Sequence, residues 1–158
     1  MFSNFLTLVI LFAGAAYGQS APALMGKWVD GHISSIQYKN AYTGVAAPTN
    51  GRQFAYEFRP DGTYSFTGLM QSVMYNCTTA MFSNESGTYT VEGDSVSLRP
   101  VKNPYRTTYS CAPSSNREAP GKLIERAYRF RVTAESGRRY LEFRDLSDGG
   151  VEKFGESR

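Results

Sequence analysis

Residues 53–68 read Gln-Phe-Ala-Tyr-Glu-Phe-Arg-Pro-Asp-Gly-Thr-Tyr-Ser-Phe-Thr-Gly. Phe54, Tyr56 and Phe58 alternate with Ala55, Glu57 and Arg59, a period of two that belongs to a strand with one buried face. Pro60-Asp61-Gly62 is turn chemistry, because proline presets the first turn dihedral and glycine accepts positive φ. Tyr64 and Phe66 carry the apolar face back along the returning strand. A second hairpin repeats the pattern: Gly87–Val91, a turn at Glu92-Gly93-Asp94, then Ser95–Arg99. Tyr89, Val91, Val96 and Leu98 share its inner face.

Outward from these hairpins the same alternation recurs. Leu69–Cys77 is apolar without a clear phase, so Met70, Met74 and Tyr75 are assigned to neither face. Tyr105, Thr107, Tyr109 and Cys111 fall in register. The prolines, serines, Asn116 and Gly121 of Ala112–Lys122 predict a loop. Leu123–Thr133 reads as a long strand with Tyr128, Phe130 and Val132 inward and Arg129 and Arg131 outward. Glu135-Ser136-Gly137 turns the chain into Arg139–Asp145, with Leu141 and Phe143 inward, and a short strand follows near Val151–Phe154. With one strand from Trp28 this predicts an all-β fold: a single antiparallel, mostly up-and-down barrel of about eight strands. Closure removes long unpaired edges.

Composition agrees. Of 158 residues, 41% are hydrophobic, enough for a core, and 20% are charged, too few for a disordered chain. The 14% of aromatic residues favours pleated strands over a helical bundle or coiled coil. Leu6–Ala16 is an 11-residue run, apolar apart from Thr7. A spanning helix needs roughly 20. The run therefore reads as the core of a secretory signal peptide over residues 1–18, with small residues Ala16 and Gly18 before the cut. Residues 19–158 form one barrel domain, secreted or periplasmic and not membrane-spanning. The net charge of +3 is mild, and no Lys/Arg block or basic helix points to nucleic acid.

Cys77 and Cys111 are the only cysteines. In an oxidising compartment the pair predicts a disulfide, and the C-x-x-C spacing of a redox or metal pair is absent. No cofactor or metal is expected.

Gly26-Lys27-Trp28 near the start of the domain carries a resemblance to the lipocalin-like barrels, whose first strand holds a Gly-x-Trp motif. That resemblance implies that Trp28 closes one barrel end and packs against an arginine from a late strand. Arg144 is the first candidate and Arg131 the second. The physical sense is general: a guanidinium stacks on an indole face. The Thr-Asp-Tyr motif of classical lipocalins is absent, Thr107-Thr108-Tyr109 lacking the acid, so the likeness is to outlying small exported members.

The inward aromatics Phe54, Tyr56, Phe66, Tyr89, Tyr128 and Phe130 are the candidate ligand-facing residues. An eight-stranded barrel either fills with side chains or holds one small apolar or amphipathic ligand, and so many rings leave both open. His32, the only histidine, lies close to Asp30, Ser34 and Ser35, but neighbours on one strand do not converge as nucleophilic catalysis requires. No nucleophile elbow is present. The sequence predicts a binding module, not an enzyme; the alternatives are a filled-barrel interaction protein and, less favoured, an outer-membrane barrel.

Overall fold

A computed structural model describes residues 21–33, 38–39, 46–47 and 50–157. The expected signal segment, Ser34 and Ser35 lie outside these residues. A single turn of helix, α1 (Ala21–Leu24), leads into β1 (Gly26–Ile33). Two short strands, β2 (Tyr38–Lys39) and β3 (Ala46–Ala47), pair with each other. The remaining strands are β4 (Gly51–Phe58), β5 (Thr63–Met74), β6 (Cys77–Glu92), β7 (Ser95–Lys102), β8 (Pro104–Tyr109), β9 (Arg117–Pro120), β10 (Arg126–Glu135), β11 (Arg138–Asp145) and β12 (Val151–Glu156).

The barrel runs β1-β4-β5-β6-β7-β10-β11-β12 and closes where β12 returns to β1, every pairing antiparallel. Chain order and spatial order coincide, as expected of an up-and-down barrel. The hairpin that begins the sequence reading is β4–β5, with Tyr56 opposite Phe66 and Phe58 opposite Tyr64. Its turn is held by Asp61, whose carboxylate accepts from the Thr63 amide at 2.9 Å and hydroxyl at 2.6 Å. Gly62 sits at φ +78°, the conformation that favours glycine.

Beyond the barrel the structure departs from the sequence reading in three places. Leu69–Cys77 resolves into the far half of one long hairpin, turned at Tyr75 and Asn76 with φ of 48° and 64°. This arm projects past the barrel rim, because β7 pairs with β6 only from Ser86 onward. At that point a bulge separates Ser86 from Gly87, and a Cβ on Gly87 would lie 2.1 Å from the Arg99 carbonyl oxygen. Only glycine allows β7 so close. Secondly, the expected loop 112–122 contains a 3₁₀ turn (Pro113–Ser115) and strand β9, which pairs with β8, itself paired to the arm. Pro104 opens β8 and Pro120 closes the edge strand β9, terminal positions where a missing amide is tolerated. Thirdly, β10 begins at Arg126, not Leu123.

The core lies on the barrel axis. Leu24, Trp28, Tyr56, Phe58, Tyr64, Tyr89, Val96, Leu98, Tyr128, Phe130, Leu141, Phe143 and Phe154 form one buried cluster, with Phe54, Phe66, Val91 and Val132 packed against it. Each comes from the inward register of its strand, α1 supplying Leu24.

Candidate functional site

The six aromatics expected to face a ligand come together, but they face one another. Tyr56 touches Phe66, Phe143, Phe154 and Phe58 at centroid separations of 4.7, 5.5, 5.4 and 5.7 Å. Phe54 stacks on Phe66, Tyr89 meets Phe58 edge-on at 5.1 Å, and Tyr128 stacks on Phe143 at 4.9 Å. Phe130 is buried in the same cluster. Rings at these distances exchange favourable contacts with one another and occupy the axis as core. The Tyr89 hydroxyl donates to the Arg59 carbonyl at 2.8 Å, tying the core to the β4–β5 turn.

Trp28 plugs one end of the barrel. It is fully buried, and its indole N–H donates to the Leu24 carbonyl at 2.7 Å. Gly26 opens β1 at φ +124°. The arginine partner requires a correction: Arg139, not Arg144 or Arg131, lies over the indole at 5.0 Å. Arg139 also donates to the Ala23 carbonyl at 2.6 Å and to Glu156 Oε1 at 2.8 Å. Alternation decides the matter. Leu141 and Phe143 point inward, so Arg139 shares their face and Arg144 is exposed on the other. Arg131 is exposed and lies 3.6 Å from Glu142 on the outer wall.

The opposite end holds a polar cluster that the sequence reading missed. Glu85 is 3% exposed and accepts from the Tyr64 hydroxyl at 2.7 Å and from Arg126 Nη2. Arg126 Nε is buried without a hydrogen-bond partner. The hydroxyls of Tyr56 and Tyr128 are hydrogen-bonded to each other nearby, both feeling the Arg126 charge. Burial raises Tyr56 well above the ordinary value of 10.0, and Tyr128 adds to the rise while Arg126 opposes it. Burial also raises Tyr64 and Tyr128, the Glu85 hydrogen bond adding to the rise at Tyr64. A signal for this pair existed. Glu85 is in phase with Gly87 and Tyr89, and Arg126 with Tyr128 and Phe130.

One groove lies outside the packed axis. It has a volume of about 530 Å³ and crosses the outer faces of β1, β4 and β5 toward the β8–β9 wing. Leu69, Phe82 and Tyr105 give it an apolar lining, with Lys27 and Arg106 as cations and Glu118 as an acid; the Arg106 guanidinium stacks over Phe82 at 5.1 Å. A smaller cleft of about 300 Å³ borders Tyr128 and Phe143 beside Asp145 and Glu152. Among the described residues no group of His, Cys, Asp and Glu could hold a metal ion. The side chain of His32 lies outside the described residues. Cys77 and Cys111 form the expected disulfide.

A closed eight-stranded antiparallel barrel with a plugged end is consistent with the calycin-like class of fold. No model of a known protein family matches the chain, and no curated protein is significantly similar to it.

Proposed function

We propose that this protein is an exported, lipocalin-like binding module whose lumen is structural and whose ligand lies in the external groove. One observation carries the reading: Tyr56 is enclosed by four rings on the barrel axis, while the 530 Å³ groove lies outside it. The lining of Leu69, Phe82 and Tyr105, with Lys27 and Arg106 outnumbering the single acid Glu118, suits a small amphipathic ligand with an anionic group. The apolar leader at Leu6–Ala16 and the disulfide support export. The role is binding, with no chemical step.

No helix among the described residues is long and apolar enough to cross a membrane. The outer wall bears Arg129, Arg131 and Glu57. A midplane arginine facing lipid costs roughly 2–4 kcal/mol, so a membrane-spanning barrel is not the favoured alternative.

A panel of fatty acids and aromatic carboxylates, followed by chemical-shift perturbation, tests the reading. Shifts should cluster at Phe82, Tyr105 and Arg106, and Arg106→Ala should weaken binding by roughly tenfold. Shifts centred on Tyr56 and Tyr128 would return the ligand to the lumen. Silence across the panel would favour an interaction protein with a filled barrel and no small-molecule ligand.

A further inference from the structure

The arm beyond the rim carries a cluster of exposed methionines and a tyrosine. Cross-strand partners share a face. One row of partners therefore reads Arg52, Met70, Met81, Thr107, Arg117 across β4, β5, β6, β8 and β9, with Thr107 buried and the other four exposed. Nearer the tip the same face carries Met74, opposite the disulfide-bonded Cys77. Met70, Met74 and Met81 are 51%, 67% and 48% exposed, and Tyr75 at the turn is 95% exposed. Both terminal arginines of the row are exposed as well. Residues 69–84 and 107–116 contain no Asp, Glu, Lys, Arg or His.

Contiguous exposed apolar side chains mark an interaction surface. Here the neutral patch is flanked at both ends by guanidiniums, and its row contains no carboxylate. We propose that the arm docks on an anionic phospholipid bilayer, with Tyr75 and Met74 at the headgroup–acyl boundary and Arg52 and Arg117 on lipid phosphates. A phenol suits that boundary, having an apolar ring and a hydroxyl that stays hydrated. Guanidiniums pair with phosphate oxygens in a forked geometry. A second copy fits less well, because a two-fold dimer through this row opposes arginines with no acid in the row to pair them. The disulfide ties the arm to the chain after β8 and keeps its apolar tip presented. This inference does not depend on the groove: the lipid-facing side chains lie on the opposite face of β5 and β6 from Leu69 and Phe82.

The test uses the whole chain with vesicles of phosphatidylcholine, alone or with about 30% phosphatidylglycerol. Tyr75→Trp places a reporter at the tip, and its emission should shift to the blue on the anionic vesicles and less on the neutral ones. Added salt should reverse the shift. Tyr75→Asp and Met74→Asp should weaken vesicle binding by roughly tenfold relative to wild type, and Arg52→Ala with Arg117→Ala should remove the preference for anionic lipid. Wild type and variants share the same N-terminal segment, so the difference between them reads the arm, and near-UV circular dichroism checks that each is folded. Arg106→Ala, which disables the groove, should leave vesicle binding intact. An unshifted tip tryptophan overturns the proposal, as does vesicle binding that survives Tyr75→Asp. A stable dimer dissolved by Tyr75→Asp would also overturn it, in favour of self-association.

Discussion

Arg139 shows how much one position of register decides. Its guanidinium covers the Trp28 indole, donates to the Ala23 carbonyl and pairs with Glu156, so it joins α1, β1, β11 and β12 at the plugged end. Arg144 sits five residues along the same strand on the opposite face, exposed. We expect Arg139→Ala to destabilise the fold by about 1–3 kcal/mol, from lost charge-assisted hydrogen bonds and an uncovered indole. Arg144→Ala should stay within about 0.5 kcal/mol. Urea midpoints of the two variants check this; equal losses would remove the special role of Arg139. The strand phase already excluded Arg144, since Phe143 and Arg144 cannot both face inward. The same phase excluded Arg131, which alternates outward between Phe130 and Val132; finding Arg139 needed more, namely which strand end lies beside Trp28.

Among the elements, the β5–β6 hairpin does two jobs. Its lower half closes the barrel, and its upper half forms the arm to which β8 and β9 attach. The Cys77–Cys111 link, across 34 residues of sequence, lies in the arm and not in the barrel. On the chain-entropy argument it contributes roughly 3–4 kcal/mol by restricting the unfolded chain. Its native effect is local. Replacing both cysteines with serine should speed amide exchange at residues 72–80 and 107–111, while β10 and β11 exchange as before relative to global unfolding. Uniform acceleration throughout would show that arm and barrel unfold as one unit. The alternation of Phe54–Phe66 announced the lower hairpin. The upper half had no legible phase because its apolar residues fall on both faces: Leu69, Ala80 and Phe82 on the more buried one, Met70, Met74 and Met81 on the exposed one.

At the level of the whole molecule, closure makes the interior a packed stack of rings. Burial holds Tyr56, Tyr64 and Tyr128 neutral past the ordinary tyrosine value of 10.0. The unfolded chain releases those protons near that value, so above it the native state binds more protons than the unfolded state and stability falls as pH rises. Below it the tyrosine contribution is fully present. The denaturant midpoint should therefore be flat in this respect up to about pH 9 and fall progressively as the pH rises beyond about 10. Tyr56→Phe should make the drop shallower, the Tyr64 and Tyr128 contributions remaining. An unchanged slope in that variant would place the alkaline sensitivity elsewhere.

Alternation of large rings, and the turns at Pro60-Asp61-Gly62 and Glu92-Gly93-Asp94, determined a β-meander that rolls into a barrel, because a strand's side-chain period is set by its own backbone. The pairing of two cysteines followed from there being only two. What tertiary structure decided is where strands that are distant in sequence come to lie against each other. It put Glu85 beside Arg126, Arg139 over Trp28, and Met70 and Met81 between two arginines. Those neighbours depend on the stagger between strands and on where β6 changes partners, quantities fixed by closing the barrel and by the contact that only Gly87 permits.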